Sequence, residues 1–266
     1  MIAALRYEWC RLVTLRSTYW LVAASLISAV TLSGLIAWGF SEVDLDTEGQ
    51  PFVMGIIATQ GGAGGVALLI AYVMSLFGVL TFGHEYRHGM IRATLTAVPG
   101  RVAVFAAKIV VTALVTGLTA LLCTAQGVLV GRLFLRGLDV WNDDVVQVVA
   151  GVTIYSALFA LVGLALAALF RNQIAALVLV LLVPLVGETI VRLVLVLPDA
   201  LDPVQGAAAY LPFDAGAQMY VMLHLGDATE FFGYVPPSAL AGGVTFAVVT
   251  AVLLAVAGAL FVRRDA

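Results

Sequence analysis

The chain has 266 residues, of which 62% are hydrophobic and only 11% are charged, and its mean hydropathy is +1.09. These values exclude a soluble domain and predict a protein that crosses a membrane several times. The formal net charge of -3 identifies no partner, because acidic and basic residues occupy different segments, and no nucleic-acid partner is predicted.

Residues 1–18 are predicted to form a short amphipathic helix on the cytoplasmic membrane surface. Apolar side chains recur at helical spacing, namely Ile2, Leu5, Trp9, Leu12 and Val13. Arg6, Arg11 and Arg16 lie largely on other faces, directed toward anionic lipid. A signal peptide is disfavoured, because the apolar segment that follows exceeds the ~7 to 15 residues of a signal core.

Six apolar segments follow, each close to the ~20 residues that a helix needs to cross a bilayer. Their predicted bounds are 19–40, 55–82, 109–131, 148–170, 174–197 and 239–262. The predicted fold class is therefore an all-α integral membrane protein with one transmembrane domain over 1–266. An even number of spans puts both termini on the same side. The two cysteines, Cys10 and Cys123, are read as free thiols, because one precedes the spans and the other lies within one.

The distribution of basic residues predicts which side faces the cytoplasm. Ten of the 13 basic residues fall in segments that share one side under this topology, namely Arg6, Arg11, Arg16, Arg87, Arg92, Arg101, Lys108, Arg171, Arg263 and Arg264. Of the other three, Arg132 and Arg136 lie in opposite loops, which are otherwise acidic. The positive-inside rule therefore places both termini and the 83–108 loop in the cytoplasm.

Two spans carry unusual residues. The second contains a glycine-rich cluster, Gly61, Gly62, Ala63, Gly64 and Gly65, which predicts close helix packing or a local distortion. In the fifth, Glu188 and Arg192 have the spacing of an internal ion pair, and Pro184 is positioned to break the helix there. Both features are compatible with ordinary structural packing or with a subunit interface or substrate path.

The long segment 198–238 follows the fifth predicted span and mixes aromatic with acidic residues. Such a length is uncommon for a plain loop, so short or re-entrant helices are predicted at the outer membrane surface.

The string His84-Glu85-Tyr86-Arg87-His88 in the 83–108 loop matches HExxH, the zinc and general-base pattern of metallopeptidases. A catalytic zinc needs a third protein ligand, and the remaining histidine, His224, is predicted on the opposite side of the membrane. A zinc peptidase using His84, Glu85 and His88 therefore remains an alternative, as does a non-transporting membrane scaffold or immunity protein. Because the chain has no P-loop, ATP hydrolysis would require another subunit.

The N-terminal amphipathic stretch, the six spans and the basic loop from Glu85 to Lys108 together resemble the permease subunits of type-2 ABC transporters, mostly bacterial exporters. In that family the loop carries an acidic residue, a glycine, an apolar helix face, a proline and a basic residue. The resemblance assigns ATPase coupling to Glu85, Tyr86, Arg87, Gly89, Met90, Ile91, Arg92, Leu95, Pro99 and Arg101.

The resemblance implies that the loop forms a coupling helix seated in a cytosolic ATPase subunit, which would bind ATP and Mg. This chain would bind no cofactor or metal and would not itself be an enzyme. A second permease copy, as homodimer or heterodimer, and membrane lipid are the other implied partners. The second and fifth spans would line the path or the dimer interface, with Gly61, Gly62, Gly64, Gly65, Glu188 and Arg192. Apolar spans favour a hydrophobic or amphiphilic cargo, and the implied location is a bacterial cell membrane.

Overall fold

A computed structural model describes residues 1–43, 49–64, 68–97, 100–134, 143–196, 199–222 and 235–263. These residues are mainly helical and form no β-strand. Six of its helical segments are long and apolar enough to cross a membrane. The predicted fold class, an all-α membrane protein with six spans, is confirmed.

Eleven α-helices are described. In chain order they are α1 Ile2–Thr14, α2 Arg16–Phe40, α3 Gly49–Ala58, α4 Leu69–Arg87, α5 Ile91–Ala97, α6 Arg101–Phe134, α7 Asp143–Phe170, α8 Gln173–Leu182, α9 Glu188–Val196, α10 Pro212–Ala217 and α11 Ala239–Arg263. Gly62–Gly64 and Asp199–Tyr210 form 3₁₀ helices, and Val183–Gly187 forms a π-helical turn. The six spans are α2, α4, α6, α7, the continuous segment Gln173–Val196, and α11.

Helices α4 and α7 form the centre of the bundle and are the most buried of the spans, whereas α2, α11 and Gln173–Val196 are largely exposed. Glycine permits the close contact between α4 and α7. A Cβ atom on Gly78 would collide with the carbonyl of Ala160, and one on Gly163 would collide with the carbonyl of Ser75. Small residues at such crossings let two helix backbones approach one another.

The second span was predicted as one segment over 55–82, but in the structure its helix is interrupted. The helix stops at Ala58, and Gln60 and Gly61 adopt positive φ angles of 52° and 98°. The Gln60 side chain donates to the carbonyl of Ala58 at 2.8 Å, and Ser33 donates to that of Ile57 at 2.7 Å. Side chains therefore satisfy carbonyls that a continuing helix would have bonded, and α4 starts again at Leu69.

Gln173–Val196 continues through Pro184, which was expected to break the helix. The proline lies in the π-helical turn, and the helix resumes at Glu188. The predicted short helices after this span are confirmed by the Asp199–Tyr210 segment and by α10. His224 lies outside the described residues.

The spans alternate in direction, so the bundle has two distinct ends. One end, called here the α5 end, joins the end of α4 to the beginning of α6 and the end of α11. Phe82, Phe105 and Phe261 from these three helices contact one another there, with ring centroids 5.4 to 5.7 Å apart. The other end, called the α10 end, brings α10 against the beginning of α11, where Gly242 packs on the carbonyl of Ala215.

Candidate functional site

Four charged side chains from three helices meet at the α5 end. Lys108 of α6 places its Nζ 2.7 Å from Glu85 Oε1 of α4 and 2.8 Å from Glu8 Oε1 of α1. Arg11 of α1 lies 3.0 Å from Glu85 Oε1 and 2.9 Å from Glu8 Oε2. We call these residues the charge cluster. They connect the N-terminal helix α1 to the end of α4 and to the beginning of α6.

The charge cluster is almost completely removed from solvent. Lys108 is 0% exposed, Glu8 and Glu85 are each 1% exposed, and the Arg11 side chain is 13% exposed. Two acids and two bases give no formal net charge, so each ionised group has opposite charges as neighbours. Such an arrangement offsets the desolvation of its members only while it remains complete, since removing one partner leaves a buried charge uncompensated.

The charge cluster corrects the predicted orientation of α1. Arg11 was expected to point toward anionic lipid, but it points into the protein and also donates to the carbonyl of Thr81 at 3.1 Å. Its orientation follows from Glu8, one turn earlier, because the two side chains share a helix face. Arg6 and Trp9 remain exposed on the other side of α1. The helix predicted over 1–18 ends at Thr14, and Arg16 is the exposed first residue of α2.

The turn between α4 and α5, His88–Met90, reverses the chain and is called here the corner. Gly89 adopts a φ of +64°, a region that favours glycine. The Met90 amide donates to the carbonyl of Glu85 at 2.8 Å, and the Gly89 amide to that of Tyr86 at 3.4 Å. These two bonds are those of a Schellman motif, which ends α4 and fixes the direction of α5.

The residues of the predicted coupling face are partly buried in the protein and partly exposed on its surface. Ile91 is 7% exposed and belongs to the main hydrophobic core, and Leu95 packs against that core. Met90 is 45% exposed, and Arg92 is also exposed. The apolar face expected from Met90, Ile91 and Leu95 is therefore not available as one surface, because two of its three members stabilise the chain's own fold.

A hydrogen bond joins α5 to α1. The hydroxyl groups of Tyr7 and Thr94 lie 3.2 Å apart, and Thr94 is 1% exposed. Together with the charge cluster, this contact connects α1 to α4, α5 and α6. Sequence reasoning did not identify Tyr7, Glu8, Arg11, Thr94 or Lys108 as site residues. The available signal was the Glu8–Arg11 spacing, which places opposite charges on one face of α1.

The remaining members of the predicted coupling set occupy different positions at this end. The Tyr86 ring stacks on Phe82, with the Arg171 guanidinium 5.8 Å from its centroid. Arg87 is exposed on the last turn of α4. Arg101 donates to the carbonyl of Val262 at 3.2 Å and so joins α6 to the end of α11. Pro99 lies outside the described residues.

Glu85, the residue that a zinc peptidase would use as its base, is committed to ion pairs. One carboxylate oxygen accepts from both Lys108 and Arg11. The rings of His84 and His88 are 6.3 Å apart. Within the described part of the chain, no three His, Cys, Asp or Glu side chains form a group that could hold a metal. The HExxH match is therefore explained by a structural role for its glutamate.

The predicted pair at the α10 end is organised differently from the expectation. Arg192 forms an ion pair with Asp214, not the expected one with Glu188. The Glu188 carboxylate accepts the amides of Phe213 at 2.9 Å and Asp214 at 3.0 Å, so it caps the beginning of α10. An acidic side chain at a helix N-terminus also interacts favourably with the helix dipole.

The glycine-rich cluster lies in the break between α3 and α4. Gly62 and Ala63 are buried, and Gly64 is partly buried. The carbonyl of Ala63 accepts the amide of Met222, which follows α10. Gly61 supplies one of the positive φ angles, and Gly65 lies outside the described residues. The cluster thus packs inside this chain, and its predicted place beside a path or a dimer interface stays a prediction.

Comparison with protein families relates this chain to a family of transporter proteins. A family model described as ABC-2 family transporter protein matches residues 5–187, from α1 through the π-helical turn. The matched region includes all four members of the charge cluster and the whole of α5. No curated protein matches the chain.

Proposed function

Because the chain belongs to the ABC-2 family of transporter proteins, we propose that it is the permease subunit of an ATP-driven exporter powered by a separate cytosolic ATPase. Its six long apolar helices make it a multi-pass membrane protein. The ATPase, the direction of transport and the bacterial cell membrane as location belong to the proposal.

The observation that carries the proposal is the construction of the α5 end. The corner is exposed, whereas the residues on both sides of it are fixed inside the protein through Glu85 and Ile91. A force applied to the corner would therefore reach α4 and α6 through buried ion pairs. Rigid transfer of this kind is what an ATPase-driven change between two packings of the spans requires.

The proposed docking surface differs from the one inferred from sequence. Arg87, His88, Met90 and Arg92 are exposed around the corner. We place the ATPase contact on these residues, with the exposed Met90 as its apolar component. Glu85, Ile91 and Leu95 would act through the position of α5, because the first two are buried and Leu95 packs on the core. Charged residues around an apolar anchor set the orientation of such a contact.

Assembly and cargo complete the proposal. We infer a second permease copy, identical or related, and both termini in the cytoplasm, which the basic residues of the α5 end support. The exposed apolar surfaces of α2, α11 and Gln173–Val196 are available to lipid or to this second copy. The scarcity of charge within the spans favours a hydrophobic or amphiphilic cargo.

Site-specific photo-crosslinking in membranes of the source organism tests the docking surface. We expect a benzophenone amino acid at Met90 or Arg92 to crosslink to a protein of about ATPase size, and mass spectrometry to find a P-loop sequence in it. The yield should change when ATP is added, because nucleotide moves the ATPase subunits.

The matched control is Leu133, which is 77% exposed at the other end of α6. A benzophenone there should give no ATPase adduct. If Leu133 crosslinks to the ATPase and Met90 does not, the orientation is reversed and the docking surface is wrong. If neither position captures a P-loop protein in membranes where the chain is abundant, the ATPase-coupled function is rejected.

A further inference from the structure

An apolar groove of about 510 Å³ lies between α6 and α11 at the α5 end. Its volume is within the range of roughly 300 to 1,000 Å³ that is typical of ligand pockets. One wall is formed by Val102, Phe105 and Ile109 of α6, and the other by residues of α11 that include Ala255 and Gly258. The groove is open to the outside of the bundle.

The groove exists because α11 carries small residues opposite a large one. Gly258 faces Phe105 so closely that a Cβ atom would lie 3.0 Å from its ring. Ala255 and Ala259, on the same face of α11, are exposed and leave the space beside the ring unfilled. A flexible hydrocarbon chain has the shape and polarity to occupy such a space.

Positive charge is confined to one end of the groove. Arg263 is the one formally charged residue among the described residues that line it. Arg101 adjoins the same end and donates to the carbonyl of Val262, while the groove extends away from both arginines toward Ile109 and Leu254. An apolar groove with basic residues at one end complements an amphiphile that has an anionic headgroup.

We propose that this groove is a binding site for an anionic phospholipid, with an acyl chain along Phe105 and Ala255 and the phosphate beside Arg263. Basic pockets between membrane helices recognise anionic headgroups, and the proposed cytoplasmic side of the α5 end is where such lipids attract basic residues. The site is separate from the corner and does not depend on which cargo is transported.

Native mass spectrometry of the full chain, released from nanodiscs of equal phosphatidylglycerol and phosphatidylcholine, tests the headgroup preference. We expect about fivefold more retained phosphatidylglycerol, a factor typical of one basic residue near an anionic headgroup. Arg263→Gln should bring the ratio close to one. The control is Arg132→Gln, which changes an exposed arginine at the other end of α6 and should keep the preference. Equal retention of both lipids by the unchanged protein would overturn the proposal, and so would a preference that survives Arg263→Gln.

Filling the groove tests the acyl-chain site. Ala255→Phe should lower retention of phosphatidylglycerol several-fold. Val244→Phe is the control, because Val244 is 54% exposed near the beginning of the same helix and does not line the groove. Equal retention by the two variants would place the lipid elsewhere.

Photo-crosslinking identifies the occupant directly. A benzophenone amino acid at Val262, on the rim of the groove, should yield adducts of lipid mass in the same nanodiscs. An adduct with the mass of two chains would show that a second copy covers the groove, and the lipid site would be rejected. These outcomes leave the ATPase proposal unaffected, since that proposal is tested by crosslinking at Met90 and Arg92.

Discussion

The two ends of the bundle both contain ionised side chains, but they use them in different ways. At the α5 end, four charges from three helices are packed against one another with almost no exposure. At the α10 end, Glu188 caps a short helix, and the Arg192 and Asp214 side chains remain 25% and 36% exposed. The first end joins long helices to each other, whereas the second positions a short connecting helix.

This difference indicates which end of the bundle is held together more firmly. A buried, mutually compensated set of charges resists separation of its helices, because every partial opening exposes an uncompensated charge to low dielectric. A partly exposed pair separates at little cost, since water replaces each partner. The α5 end is therefore suited to move as one unit, and the α10 end is suited to rearrange.

Replacing Lys108 with methionine should have the largest effect. The change leaves Glu8 and Glu85 buried with Arg11 as the one remaining base of the charge cluster, and we expect a loss of about 3 to 5 kcal/mol in the free energy of unfolding. Denaturation by SDS titration in mixed micelles measures this loss. Coupled ATPase activity should fall as well, because α6 would lose its ion pair with α4.

The control for this prediction is Arg132→Met, which removes an exposed base from the other end of the same helix. It should change the free energy of unfolding little. Adding Glu85→Gln to the Lys108 variant should recover part of the loss, because one uncompensated carboxylate disappears. Equal midpoints for Lys108→Met and Arg132→Met would show that the charge cluster does not stabilise the fold.

Replacing Glu188 with alanine should have a smaller and local effect. The amides of Phe213 and Asp214 would lose a charged acceptor. This loss should lower the free energy of local unfolding of α10 by about 2 kcal/mol. Hydrogen exchange of α10 should accelerate more than tenfold, while that of α4 and α6 stays unchanged. Thr189→Ala, which removes a hydroxyl bonded within the same helix, is the control. Faster exchange throughout the bundle would contradict a local role for Glu188.

Much of the architecture followed from sequence, because hydropathy reports membrane spans directly. The beginning of α6 did not follow, since Lys108 interrupted the apolar run and placed the predicted start at 109 instead of Arg101. The hydropathy of one segment does not show that its lysine forms ion pairs with residues of two other helices. The glycine-rich cluster predicted a local distortion in the second span, but it did not predict that the helix would stop before Gln60, because the stabilising partner, Ser33, comes from α2. Likewise, the spacing of Glu188 and Arg192 indicated one helix face but not their partners on α10.

Replacing Tyr7 with phenylalanine tests whether α5 moves with α1. The variant removes the hydroxyl contact with Thr94 and should lower the free energy of unfolding by about 1 kcal/mol. Hydrogen exchange of α5 should rise, and that of the α4 interior should not. Tyr19→Phe is the control, because its hydroxyl bonds within residues 13–19 and does not reach α5. Unchanged exchange in α5 would mean that the core contacts of Ile91 and Leu95 hold this helix without the hydroxyl contact.

Replacing Arg192 with glutamine should have the smallest effect, below about 1 kcal/mol, because the ion pair with Asp214 is partly exposed. By contrast, neutralising a base of the charge cluster is expected to lower the free energy of unfolding by several times more. Melting midpoints of Arg192→Gln and of the unchanged protein should converge as salt is raised, because salt screens exposed pairs. A loss as large as that of Lys108→Met, and insensitive to salt, would mean that the α10 end is also a rigid junction and that the two ends are mechanically equivalent.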